Sequence, residues 1–150
     1  MLIDGLRRQF NNAFDILEAG IGSFDDDQWR SGSAPFNGPG RAAIHALQCG
    51  EFYTCDDDSV FANLGKKVWQ MSDGELPTQE QMLKYLAEVR ARTAAWIESI
   101  GDQGLGASRD DDESLTALDR VVYAIRHLQH HTGEVCAYQK QCGLEPSPWK

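Results

Sequence analysis

The sequence lacks long hydrophobic runs. No uninterrupted apolar stretch approaches the ~18 residues that a membrane-spanning helix needs. The first residues after Met1 also lack the apolar core of a secretory signal peptide, because Asp4, Arg7 and Arg8 bring charges there. We therefore expect a cytoplasmic protein without a membrane partner.

Basic residues are scarce. The 14 lysines and arginines stand against 23 acidic residues, and the net charge is -9. The electrostatic field of this negative net charge repels a phosphate backbone, and the basic residues form no cluster that would overcome the repulsion. We therefore expect no nucleic-acid partner. The chain has 150 residues, of which 41% are hydrophobic, as is typical of a single globular domain with its own core.

Several motifs with known chemistry are missing. There is no C-x-x-C, G-x-S-x-G, P-loop or G-x-G-x-x-G pattern, which argues against zinc ribbons, thioredoxin-type proteins, common serine hydrolases and nucleotide-binding folds. The H-E-x-x-H motif of zinc proteases and the Glu-x-x-His motifs of di-iron bundles are also absent. The four cysteines, Cys49, Cys55, Cys136 and Cys142, are expected to be free thiols in a reducing compartment.

Helical periodicity organises most of the chain. Apolar residues at three- and four-residue intervals predict four long amphipathic helices. Their expected bounds are Leu2 to Ile21, Arg41 to Asp56, Thr78 (the N-cap) to Gly101, and Ser114 to Cys142. A short turn or an extra helical turn at Asp25 to Trp29 and a short helix at Val60 to Met71 are expected between them. With no alternating strand patterns and no repeats, the sequence predicts an all-α four-helix bundle. The loop 31–40 leaves simple up-down order and a crossover both open.

The histidines are concentrated in one turn and a half of the last helix. Of four histidines in the chain, His127, His130 and His131 lie there. His127 and His131 share one helix face, which is the spacing that offers two imidazoles to one metal ion. His45 lies on the inward face of the second predicted helix. We predict that the fold brings His45 opposite His127 and His131, while His130 faces outward or toward a partner subunit.

Two interpretations of this cluster remain open from the residues alone. Three neutral imidazoles can hold zinc, nickel or iron(II) and leave a position free for substrate. Alternatively, they are core histidines that hydrogen-bond to backbone carbonyls. Cys49, one turn after His45, is a candidate fourth ligand, and a closed site of this kind would indicate a structural metal. Glu134 is either an acceptor that orients an imidazole or a solvated helix residue.

The last predicted helix also carries a family resemblance. The run from His127 to Glu134 (HLQHHTGE), followed by QKQCGL at 139–144 and Pro146, resembles the last helix of the DinB/YfiT-like bundle superfamily. The segment 43–47 (AIHAL), with Glu51 and Tyr53, is similar to that family's second helix. The resemblance implies a four-helix bundle with a long crossover connection. It also implies a divalent metal held by His45, His127 and His131, and a homodimer.

The resemblance further implies an activity. Characterised members include thiol transferases that use low-molecular-weight thiols such as bacillithiol or mycothiol, and a thiol-dependent isomerase. Thr132 stands where relatives often have a basic residue, which is a departure at the expected thiol-docking position. We predict a metal-dependent thiol S-transferase or a related metalloenzyme such as a hydrolase, acting on a small-molecule substrate. The alternative is a non-enzymatic metal- or ligand-binding stress protein with a structural metal.

Overall fold

Helices make up most of the protein. The computed structural model describes residues 1–55, 61, 63–109 and 113–150. Its helices are α1 (Leu2–Ile21), α2 (Asp26–Arg30), α3 (Pro39–Cys55), α4 (Gln79–Gly104) and α5 (Ala117–Gln141). Within these described ranges there is no β-strand, only two isolated bridges. The predicted all-α class is confirmed.

The four long helices form a bundle in which consecutive helices do not always lie side by side. Both α1 and α3 pack closely against α4 and α5, whereas α1 and α3 face each other across the bundle, as do α4 and α5. The chain therefore crosses the bundle diagonally, which a simple up-down order would not do. The long connection 56–78 joins α3 to α4 and includes 3₁₀ turns at Val68–Gln70 and Asp73–Glu75.

Capping residues set the starts of α4 and α5. Thr78 caps α4 with Gln81 in a capping box, as predicted. The predicted start of α5 near Ser114 was wrong. Thr116 is the N-cap and pairs with Asp119, so the first helical residue is Ala117.

The start of α3 also differs from the prediction. The helix begins at Pro39 rather than near Arg41, because proline suits the first helical position, where its missing N–H is not needed. Gly40 allows close packing here, since a Cβ atom at this position would lie 2.7 Å from the Trp29 carbonyl oxygen.

The structure agrees with some of the shorter predicted elements more closely than with others. The turn at Asp25 to Trp29 is the helix α2, and the Trp29 side chain is fully buried and donates to the Pro77 carbonyl oxygen at 2.8 Å. Of the predicted helix Val60 to Met71, the described part contains a 3₁₀ turn at Val68–Gln70. Val60, the acidic run 56–58 and the acidic residues 110–112 lie outside the described residues. As predicted, Gly101 interrupts α4, with a φ of 60°.

Among the described helices, none combines the length and apolar character that crossing a membrane requires.

Candidate metal centre

Helices α3 and α5 bring three histidine rings together. The His45 ring centroid lies 4.4 Å from that of His131 and 5.2 Å from that of His127. The His127 and His131 centroids are 4.6 Å apart. The three residues expected from the sequence to meet are therefore in mutual contact, with His45 supplied by one helix and the other two by its neighbour.

The possible ligand atoms fall into two adjacent groups. In each group every ligand atom lies within 4.8 Å of the others. The inner group combines His45 and His127 with Cys49, and the outer group combines His130, His131 and Glu134. The His131 ring links the two groups, because it contacts both inner imidazoles.

Burial keeps the inner imidazoles neutral. Desolvation, followed by repulsion from His131 and His127, lowers the pKa of His45 to about 4. Desolvation and repulsion from His131 and His130 likewise lower the pKa of His127 to about 4, against an opposing contribution from Glu134. Near pH 7 both rings therefore have an unprotonated nitrogen whose lone pair can bind a metal ion.

One nitrogen of this cluster has no protein partner. The Nδ1 atom of His127 is buried and makes no hydrogen bond among the described residues. A buried polar atom without a partner is costly, and buried polar groups in folded proteins are nearly always paired. A metal ion accepting this lone pair would remove the cost. The nitrogen and sulfur donors suit zinc, nickel or iron(II), so the residues present fit a divalent metal.

The outer group orients one imidazole. The Nδ1 atom of His131 lies 2.6 Å from Glu134 Oε2. A proton on Nδ1 in this contact leaves Nε2 as the lone-pair nitrogen. Of the two sequence interpretations of Glu134, the structure shows the one in which its carboxylate contacts an imidazole. The His130 side chain is 69% exposed and lies 3.5 Å from the same carboxylate, in agreement with the predicted outward orientation.

Aromatic side chains that the sequence did not single out surround the histidines. The Phe36 centroid lies 4.4 Å from the His45 ring, and the Tyr53 and Tyr123 centroids lie 5.3 and 6.4 Å from the His127 ring. Phe36 belongs to the glycine- and proline-rich loop before α3, where helical periodicity gives no direction to a side chain. Its place in the structure depends on contacts distant in sequence, such as the 2.9 Å hydrogen bond from Gly38 N–H to the Tyr138 hydroxyl.

An open concavity of about 520 Å³ lies along α5 and borders the cluster at His127. Its lining includes Tyr123, Arg126, His127 and His130. A larger concavity, of about 640 Å³, lies beside α4 and the 3₁₀ turn Asp73–Glu75, and no histidine lines it. Volume alone therefore does not identify the functional site, and the chemistry of the lining residues favours the concavity beside His127.

Comparison with known proteins agrees with the resemblance seen in the sequence. No curated protein matches this chain. The family described as the DinB superfamily matches residues 9–135, a span that contains all four histidines, Cys49 and Glu134. The match covers most of the chain, and the helical bundle agrees with it. The chain belongs to the DinB superfamily.

Proposed function

We propose that this protein is a divalent-metal-dependent enzyme whose metal is held by His45, His127 and His131, and that its reaction is a thiol S-transfer to a small-molecule electrophile. The observation that carries the proposal is the contact among three imidazoles beside the buried, unpartnered Nδ1 of His127. Membership of the DinB superfamily supports it.

The residues around the cluster have separable roles in this proposal. A divalent metal, when bound, acts as a Lewis acid and lowers the pKa of a thiol or water beside it. Glu134 orients His131 by accepting its Nδ1 proton in a hydrogen bond. Phe36 and Tyr53 cover the His45 and His127 rings and limit the access of water to them.

The surroundings of the cluster support thiol transfer over hydrolysis. In the transfer, the thiol loses its proton, its sulfur bonds to the electrophilic carbon, and the leaving group departs with the electron pair. Aromatic walls suit an apolar electrophile. Hydrolysis of an ester or amide also calls for a general base, and Glu134, the carboxylate next to the cluster in the described chain, is already engaged with His131.

Two basic residues are candidates for docking the thiol cosubstrate. Thr132 does not serve this purpose, because it is fully buried and its hydroxyl donates to the Leu128 carbonyl oxygen at 2.8 Å. Arg126 lines the concavity beside His127. Lys67 lies 5.4 Å from the Trp69 ring centroid, and Trp69 in turn contacts Phe36. Their positive charges would bind a carboxylate of a low-molecular-weight thiol at the edge of the site.

We also propose that the protein is a homodimer in the cytoplasm. Val122 and Tyr123 are 39% and 50% exposed on α5 next to the concavity, which supports a partner on this face. All four cysteines are free, which supports a reducing compartment. Light scattering on a Val122→Asp variant tests the dimer. We expect a dimeric parent and a monomeric variant, and a monomeric parent would contradict the proposal.

A structural metal is the second candidate, and Cys49 favours it. A fourth protein donor close to the histidines can close the coordination sphere and leave no position for substrate. The protein would then be a non-enzymatic metal- or ligand-binding protein. Chelation that unfolds the protein, together with no turnover of any thiol and electrophile pair, would support this alternative.

A screen of thiols against electrophiles with metal-loaded protein separates the two candidates. We expect turnover that is lost in His45→Ala and kept in Glu145→Ala, whose side chain is exposed and lies outside the cluster. Metal-loaded protein that is folded but inactive across the screen would contradict the enzymatic proposal. The metal content of each variant is measured beside its turnover, so that the loss of activity in His45→Ala is read together with its loss of metal.

A further inference from the structure

Cys49 lies one helical turn after His45 on α3, and its thiol contacts the His45 ring. Its Sγ atom lies 3.6 Å from Nδ1 and 3.8 Å from Nε2 of His45. The same sulfur belongs to the inner group with His127, in which all ligand atoms lie within 4.8 Å of one another. Only 9% of the residue is exposed, so the thiol is on the buried side of the cluster.

The separation between sulfur and nitrogen agrees with that of two ligands on one metal ion. In tetrahedral zinc sites the metal lies about 2.3 Å from sulfur and about 2.0–2.1 Å from nitrogen, which places the two ligand atoms about 3.5 Å apart. The 3.6 Å between Cys49 Sγ and His45 Nδ1 matches this separation. Because the sulfur also lies 3.8 Å from Nε2, it sits over the ring face, and a turn of the His45 ring or of the Cys49 side chain directs both donors at one ion.

Another cysteine of the same helix shows a different arrangement. The Cys55 thiol donates a hydrogen bond to the Glu51 carbonyl oxygen one turn earlier, at 3.2 Å. Cys49 instead contacts the ring nitrogens of the imidazole one turn earlier. The nearby His127 Nδ1 has no hydrogen-bond partner among the described residues. The cluster thus contains a sulfur and an unpaired nitrogen that a shared metal ion would bring into one coordination sphere.

We propose that Cys49 is a ligand of the metal in this site and adds one sulfur to the histidine nitrogens. The inference rests on the proposed function and deepens it, because it names a further donor at the same site. Zinc can take a fifth ligand, so a position for substrate stays open beside four protein donors. When the metal binds, a metal–sulfur bond forms and the thiol proton passes to solvent, with no change of oxidation state. A thiolate ligand makes the site select zinc and other thiophilic metals over magnesium or manganese.

X-ray absorption of the zinc-loaded protein tests this inference, with the absorption spectrum of the cobalt(II)-loaded protein as a second readout. We expect one sulfur at about 2.3 Å from zinc and a sulfur-to-cobalt charge-transfer band in the parent. Both features should disappear in Cys49→Ser and persist in Cys55→Ser, the matched control on the same helix. We also expect the zinc affinity of Cys49→Ser to fall by at least roughly tenfold, as for loss of a metal-supporting contact.

The outcomes separate this inference from the proposed function. Parent protein that binds zinc through nitrogen and oxygen alone would overturn the role of Cys49 and leave the histidine site standing. A sulfur signal that survives in Cys49→Ser would also overturn it, because another cysteine would be the donor. A parent that binds no metal would overturn both proposals. Circular dichroism of the metal-free variants checks their folding. If Cys49→Ser does not fold, a sulfur signal kept in the combined Cys55→Ser, Cys136→Ser and Cys142→Ser variant assigns the sulfur to Cys49, and its loss there would overturn the inference.

Discussion

The Nδ1 atom of His131 lies 2.6 Å from a carboxylate oxygen of Glu134, one turn further along α5. Because this contact places the proton of the neutral ring on Nδ1, the Nε2 lone pair is left for a ligand bond. Glu134, for which the sequence left two interpretations open, therefore contacts and orients His131, a predicted metal ligand.

Removal of this contact should weaken metal binding without abolishing it. We expect Glu134→Ala to lower the affinity for zinc by roughly 10–100-fold, because the ring of His131 loses its orienting acceptor. Glu134→Gln should recover part of the loss, since its amide oxygen still accepts a hydrogen bond. Competition with a colorimetric chelator measures the affinities, and the exposed Glu145→Ala is the control. An affinity of Glu134→Ala equal to that of the parent would contradict the role given to Glu134.

The metal-free protein should lose stability in mildly acidic solution through His45 and His127. Their pKa values are about 4 in the folded chain and 6.5 for the unperturbed group. Between these values the unfolded chain binds more protons, so the free energy of unfolding falls as the pH falls from 6.5 towards 4. Above 6.5 this contribution to stability is fully present.

Denaturant unfolding across that pH window tests the effect of the buried imidazoles. His45→Gln should show a shallower fall in the free energy of unfolding than the parent, because one buried imidazole no longer titrates. Lys84→Gln, which changes an exposed side chain on α4 away from the histidines, should follow the parent. Carboxylates contribute to every curve, so the difference between curves is the measured quantity. Parallel curves for His45→Gln and the parent would contradict the prediction.

The buried Glu51 carboxylate should matter for stability but not for metal binding. Glu51 is 1% exposed and accepts hydrogen bonds from Tyr85 at 2.5 Å and from Asn63 at 2.7 Å, and it also pairs with Arg92. We expect Tyr85→Phe to lower the free energy of unfolding by about 1–3 kcal/mol, because a buried acceptor loses a donor. Chemical denaturation measures the loss.

Two controls accompany the prediction for Tyr85→Phe. Lys84→Ala, at the exposed neighbouring position on α4, should change the free energy of unfolding by no more than about 0.5 kcal/mol. Metal content should be unchanged in both variants, because Tyr85 faces Glu51 rather than the histidines. An unchanged stability of Tyr85→Phe would show that Glu51 does not depend on this hydrogen bond.

Local signals account for what the sequence predicted well. The periodicity that buries Phe10, Phe14 and Leu17 gave α1 its correct bounds, and the Thr78 capping box gave the start of α4. The spacing of His127 and His131 placed both on one helix face. The start of α5 was misplaced because acidic residues near Ser114 suit a helix N-terminus, whereas Thr116 and Asp119 form the capping box.

The parts that sequence reasoning missed depend on tertiary contacts. Phe36 reaches His45 from a loop whose conformation is fixed by α5 through Tyr138. Helical periodicity placed Cys49 on the face of His45, but not at 3.6 Å from its ring nitrogen. The concavity beside His127 and the larger one beside α4 also result from tertiary packing, which no local sequence pattern predicts.

The most direct test of the central claim is the metal content of the protein purified without a metal-affinity tag, measured by elemental analysis. The account predicts about one zinc, nickel or iron per chain in the parent, little or none in His45→Ala and His131→Ala, and the parent's content in His130→Ala. No metal in the parent, even after incubation with zinc, would contradict it. So would the parent's metal content in the His45→Ala and His131→Ala variants.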